Sequence, residues 1–417
     1  MKDVIERNIY LKQLIDSREN GFIKVVTGMR RCGKSTLLQK IFRNYLVQQG
    51  IAENHIISID LDNRRNAPLR NPDALLDYID KQIVDNDLYF ILMDEIQMVD
   101  EFIDVLNSLL HIDNADVYVT GSNSRFLSSD IVTEFRDRSD EIHMYPLSFA
   151  EYYSAVGGDK NAAWKEYYTY GGLPHVLSLV GDKKKSEYLR GVYRKTYLTD
   201  IKERHEIKVY EFNELTKILA SVIGSSCNPN KLANTFKSQE NVTLSYPTIV
   251  TYLSYLKDSF LIEEAERYDI KGKKYIGSLS KYYFCDLGVR NALLNFRQQE
   301  ENHIMENVLY NELRVRGYNV DVGLVETKIF VDGKTERKQY EVDFVVNEGS
   351  NRYYIQSAFA MPDFAKEEQE KRSFNQIDDS FKKIIVVKDD IKPKRDEQGI
   401  LTIGLLDFLL NENSLML

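Results

Sequence analysis

In the first 150 residues the apolar positions gather into short continuous runs separated by stretches of helical spacing. Phe22-Ile23-Lys24-Val25-Val26-Thr27 is a β-branched run of strand length, and comparable runs lie near 55–60, 88–93, 116–120 and 140–145. Between them, apolar residues recur at helical intervals, as over 35–48 and 102–110. Strands alternating with helices in this way predict a parallel sheet covered by helices.

Further on the pattern changes. Residues 149–210 read as helical, rich in aromatics such as Tyr152-Tyr153 and Tyr167-Tyr168, and are interrupted by the turn Gly171-Gly172-Leu173-Pro174. Two helical runs after Glu211 precede Ser245-Tyr246-Pro247-Thr248, where Ser245 suits an N-cap and Pro247 an early helical position. The helix over about 246–257 is then the third of a helix-turn-helix. Runs at 261–268 and 281–285 flank Lys271-Gly272-Lys273-Lys274, which reads as a wing. The last part holds a helix over 304–316 and strand runs at 340–346 and 353–358. The expected division is a nucleotide domain at 1–148, a helical lid or connector at 149–210, a winged-helix domain at 211–295 and a final α/β domain at 296–417.

A chain of 417 residues exceeds one ordinary core, and 43% hydrophobic residues, 29% charged residues and eight prolines describe a folded globular protein. No run approaches the roughly 18 apolar residues of a membrane helix, and the opening seven residues lack the apolar core of a signal peptide. The expectation is a soluble, cytoplasmic chain with no membrane partner. Cys32, Cys227 and Cys285 are too few and too scattered for a disulfide framework or a zinc site. A net charge of -9 argues against non-specific coating of nucleic acid and leaves a local DNA surface open.

The first run leads into Gly28-Met29-Arg30-Arg31-Cys32-Gly33-Lys34-Ser35-Thr36, the pattern G-x-x-x-x-G-K-S between a strand and a helix. Such a loop curls its backbone amides, here from Gly28, Arg30, Arg31, Cys32 and Gly33, around the phosphates of ATP at the helix N-terminus. Lys34 is expected to reach the β- and γ-phosphates, Ser35 to ligate Mg²⁺ and Thr36 to add a phosphate contact. The run at 88–93 ends in Asp94-Glu95. Asp94 fits the carboxylate that holds Mg²⁺ through water, and Glu95 the group that orients or deprotonates the attacking water. The run at 116–120 ends in Gly121-Ser122-Asn123-Ser124, where Asn123, with Ser122 next, suits a γ-phosphate sensor, although the same residues make an ordinary turn. Arg136 and Arg138 are candidates for an arginine finger on a neighbouring subunit in a homo-oligomer; a surface arginine beside acids is the competing reading.

Taken together, Thr27-Gly28-Met29-Arg30-Arg31-Cys32-Gly33-Lys34-Ser35, Asp94-Glu95-Ile96-Gln97, Thr120-Gly121-Ser122-Asn123-Ser124, Met144-Tyr145-Pro146-Leu147-Ser148-Phe149 and Tyr170-Gly171-Gly172-Leu173-Pro174 resemble a bacterial and archaeal family of AAA-type ATPases, over nearly the whole chain. The resemblance implies a P-loop ATPase domain with an additional-glutamate site, then a winged helix and a C-terminal fold related to restriction endonucleases of the PD-(D/E)xK type. Its members are ATP-binding proteins with no agreed substrate.

DNA binding by the winged helix needs basic groups on its third helix, which offers mainly Thr248, Thr251 and Lys257, so a protein-binding or structural role stands beside it. In the last domain Glu306 and Asp343 match a helix Glu and a strand Asp of the nuclease constellation. Gln356 stands at its acid position and Ala358 at its lysine position, so a retained fold without cleavage is expected. Three functional readings follow: an ATPase using Mg²⁺ that couples nucleotide state to the C-terminal modules, a nucleotide-dependent switch acting on DNA or a partner with little turnover, and an ATP-linked nuclease.

Overall fold

The computed structural model describes residues 4–121, 138–240, 244–297, 300–331 and 334–417, which fall into two compact units. The first comprises Met1–Pro146 with Leu173–His175 and Asp258–Phe260. Its strands are β1 (Ile23–Gly28), β2 (Ile56–Asp60), β3 (Tyr89–Asp94), β4 (Ala115–Thr120) and β5 (Ser139–Met144), within a residue of the expected runs. All pairings are parallel, in the order β2-β3-β4-β1-β5, the α/β sheet of a P-loop nucleotide-binding fold.

β1 and β3 are buried at every position, which requires side chains that tolerate a dry environment on both faces and explains the unbroken apolar runs. One face packs Ile23, Val25, Ile57, Ile59, Ile91 and Met93 against helices Pro72–Gln82 and Phe102–Leu109. Asn71 starts the former helix by accepting the Ala74 amide, with Pro72 at the first helical position, where a missing N–H costs nothing. The other face meets an unbroken helical stretch through Lys34–Thr36, Leu37–Phe42 and Arg43–Gln48; Phe42 lies 4.6 Å from the Tyr118 ring and 6.5 Å from Phe90. Lys24 is the exception within β1. Fully buried, its ammonium pairs with Asp116 on the adjacent β4, and Tyr118 Oη donates to the same carboxylate at 2.8 Å.

The second unit comprises Leu147–Gly172, Val176–Lys257 and Leu261–Leu417. Ser148 and Glu151 form a reciprocal capping box that opens the helix Phe149–Val156, and Asp159 caps Lys160–Tyr170. The glycine turn that ends the latter helix is fixed by one carboxylate: Asp286 accepts the Gly172 amide at 2.8 Å, and a Cβ on Gly171 would lie 2.4 Å from the same oxygens. Helices Val209–Ser221, Pro229–Glu240 and Tyr246–Asp258 follow, the last begun by Ser245 Oγ accepting the Thr248 amide at 3.2 Å.

The hairpin β6 (Ile262–Asp269) and β7 (Lys274–Phe284) is antiparallel, with β7 beginning seven residues earlier than the 281–285 run predicts. It does not stand alone. β6 also pairs in parallel with β8 (Asn319–Val331), which continues through β9 (Lys334–Glu348), β10 (Asn351–Ala358), β11 (Lys382–Val387), β12 (Lys394–Arg395) and β13 (Leu401–Gly404). The eight strands run in the order β12-β13-β11-β10-β9-β8-β6-β7, so the division placed at residue 295 falls within one sheet. No described helix is long and apolar enough to cross a membrane.

Candidate functional site

Because β1 to β5 share one direction, their carboxyl ends line one edge of the sheet, and there Gly28, Asp94 and Thr120 end their strands. Ligands of open parallel sheets gather at such an edge. Gly28 has φ +130°, and a Cβ on it would lie 2.1 Å from Met144 O of the neighbouring β5, so glycine is required. Arg31 and Gly33 also take positive φ, which curls the loop back toward the helix beginning at Lys34. Lys34 is buried and its Nζ donates to Gly28 O at 2.9 Å and Met29 O at 3.1 Å, spanning the loop it follows. Cys32 is buried, its Sγ 3.4 Å from Met144 O; Ser35 and Arg31 are exposed, while Arg30 and Thr36 are half-buried.

Asp94 is 5% exposed and receives a hydrogen bond from Thr120 Oγ1 at 2.5 Å and another from Ser35. Burial raises its pKa; the Thr120 and Ser35 hydrogen bonds oppose the rise, and Glu95 and Asp60 add to it. Glu95 follows at φ +54°, its amide donating to Thr120 Oγ1 at 3.0 Å and its carboxylate accepting from the Gln97 side chain. The Ser35 hydroxyl and the Asp94 carboxylate thus lie within hydrogen-bond reach of each other, two hard oxygen donors of the kind Mg²⁺ takes, and the residues fit that ion.

Lys34, Ser35, Asp94 and Glu95 are therefore brought to one place by the loop and the strand ends. Arg138 is not among them: it is exposed immediately before β5, and its carbonyl accepts the Ile23 amide at 3.1 Å, at the amino ends of the strands. Asn123, Ser122 and Arg136 lie outside the described residues.

Two further residues bear on the site. Thr120 joins both acids through one hydroxyl, and the only trace of this in sequence is a polar residue closing an apolar strand. Arg7, buried at 4% exposure, donates to Cys32 O at 2.9 Å and to Tyr145 O at 2.6 Å, with its guanidinium 4.8 Å over the Tyr10 ring. It ties the loop to the segment after β5, a link that nothing in its sequence neighbourhood signals.

In the second unit Glu306 and Asp343 do come together, with Lys281 between them and with Glu341. Ala358 is buried in an apolar cluster with Val342, Tyr354 and Ile385, where a small apolar side chain suits and a lysine would not. Gln356 keeps a buried Oε1 without a hydrogen-bond partner.

Residues 20–153 match the AAA domain family, and residues 161–300 match a domain of unknown function (DUF8612). An uncharacterised protein of Haemophilus influenzae is 33% identical over 98% of this chain and 99% of its own length. One of Methanocaldococcus jannaschii is 30% identical over 88% of this chain and 80% of its own. Among solved structures, the Aeropyrum pernix Orc1 protein in complex with DNA covers 71% of this chain and 94% of its own at 12% identity and a TM-score of 0.29, too slight a likeness to build on. With an AAA domain over residues 20–153 and these relatives matched over most of their length, the chain belongs to the family of these two proteins and carries the AAA domain of ATPase-type proteins.

Proposed function

We propose that the first unit binds ATP with Mg²⁺ at the loop 28–36 and hydrolyses it, coupling nucleotide state to the second unit. In this reading the amides of Gly28, Arg30, Arg31, Cys32 and Gly33 receive the phosphates, with Thr36 beside them. Lys34 trades its loop carbonyls for phosphate oxygens. Ser35 and, through water, Asp94 would hold Mg²⁺, which supplies charge neutralisation of the phosphates. Glu95 orients the attacking water and accepts its proton. Asn123 is the proposed γ-phosphate sensor, and Arg138, placed at the amino ends of the strands, would act on the ATP of a second copy. The observation that carries the proposal is the chain of contacts Ser35–Asp94–Thr120–Glu95, which sets the two acids beside the loop in fixed relation. Phosphate release measured for the wild type, Lys34→Ala and Glu95→Gln tests it. Both variants should lose most of the activity, with Glu95→Gln retaining ATP binding; three equal rates would sink the reading.

The second unit is read as a helical connector (149–210), a winged helix (211–295) and an endonuclease-like region (296–417). Support for the winged helix is the order of three helices and an antiparallel hairpin. Its third helix exposes Tyr246 and Val250, and Lys257, the one cation expected to face DNA, is paired with Glu264 at 2.7 Å. That surface favours a protein partner over DNA.

A further inference from the structure

The carboxylates gathered where a metal would be expected already share a cation from elsewhere in the chain. Alternation along β7 sends Lys281 and Tyr283 to one side and Tyr282 to the other, where its hydroxyl meets Glu264. Lys281 Nζ lies 2.8 Å from Glu306 Oε1, 2.8 Å from Glu341 Oε1 and 3.6 Å from Asp343 Oδ1, and its side chain is 3% exposed. Other groups also engage these carboxylates. Tyr283 Oη donates to Glu306 Oε1 at 2.7 Å, and the Ser357 amide to Asp343 Oδ2 at 2.8 Å. Arg267 and Ser226 reach Glu341 Oε2 at 3.1 Å and 3.3 Å.

We propose that Lys281 is the resident cation of this pocket, making it a metal-independent clasp that ties the β6–β7 hairpin to the helix Glu301–Val315 and to β9, rather than a site of hydrolysis. A divalent ion bridging Glu306 and Asp343 at about 2.0–2.6 Å from their oxygens would sit beside Lys281 Nζ, itself 2.8 Å from Glu306 and 3.6 Å from Asp343. That would put two positive charges against a buried ammonium, where repulsion is poorly screened. The lysine is needed in turn. Burial and the neighbouring Glu306 push the Asp343 carboxyl up to about 7, with Lys281 opposing the rise, so without a cation the cluster would take up protons. The three carboxylates hold the proton of Lys281 more tightly than usual against the effect of burial.

The test uses the full chain without nucleotide and Mn²⁺ alone as the probe, followed by its electron paramagnetic resonance. Wild type and Asp343→Asn should bind the same amount of Mn²⁺, and neither should nick plasmid DNA. Lys281→Met should gain about one Mn²⁺ per chain, lost again in Lys281→Met/Asp343→Asn. Wild-type binding or nicking that depends on Asp343 overturns the proposal. Should Lys281→Met prove unstable, its thermal unfolding is followed with and without Mn²⁺: a midpoint raised by Mn²⁺ supports the clasp, and a variant indifferent to Mn²⁺, folded or not, overturns it. None of these arms involves the nucleotide site, so their outcome is separate from that of the ATPase reading.

Discussion

Thr120 serves two acids with a single hydroxyl, donating to Asp94 and accepting from the amide of Glu95. Hydrogen bonds to charged groups contribute about 1.5–3 kcal/mol each, and the position of Asp94 relative to the loop depends on this one. Thr120→Val keeps the shape and removes the bond. ATP turnover should then fall about ten- to a hundredfold, as that energy implies, with nucleotide affinity much less affected. Thr120→Ser, which restores the hydroxyl, should recover most of the rate. If Thr120→Val loses affinity and rate together, the hydroxyl supports the fold and not the acids. The same scale shows what sequence could and could not reveal. Lys34, Ser35, Asp94 and Glu95 are legible because the loop and the strand end that hold them are local patterns. Thr120, Arg7 and Lys281 are not, because each acts on residues far along the chain.

At the scale of elements, β1, β3 and β4 are legible within a residue because interior strands buried on both faces favour continuous apolar runs, whereas the edge strands β2 and β5 keep partly exposed positions. Lys24 breaks that rule without breaking the strand, since its partner Asp116 waits on β4, and the pair fixes these two neighbouring strands to each other. Removing one member of a buried pair leaves an uncompensated charge and costs about 3–5 kcal/mol. Lys24→Met should therefore lower stability by about that amount in chemical denaturation. Adding Asp116→Asn should return part of the loss, because a neutral amide still accepts from Tyr118 and from the Glu19 amide. Additive losses in the double variant would mean that packing around Lys24, and not its charge, is what matters. β7 shows the opposite case. Its first residue, Lys274, belongs to the lysine-rich segment 271–274 that reads as a wing, and residues 275–280 carry no apolar run; pairing with β6 makes them strand.

At the scale of the whole chain, the division at residue 295 was drawn where one pattern of helices and hairpin ends and another begins. Local patterns locate elements but carry no information on which strands pair across 50 residues. The pairing of β6 with β8, from Arg267–Val322 to Asp269–Leu324, puts hairpin and C-terminal strands in one sheet, and Lys281 adds ion pairs from β7 to Glu306 and to β9. A fragment of residues 211–295 would leave the β6 edge unpaired and Lys281 buried without its carboxylates, or else exposed with its pocket open. Such a fragment should fail to fold, with a poorly dispersed amide spectrum in nuclear magnetic resonance, whereas 147–417 should unfold in one cooperative transition. A well-dispersed spectrum from 211–295 would show instead that the hairpin and three helices carry their own core, and that the shared sheet joins two independent domains.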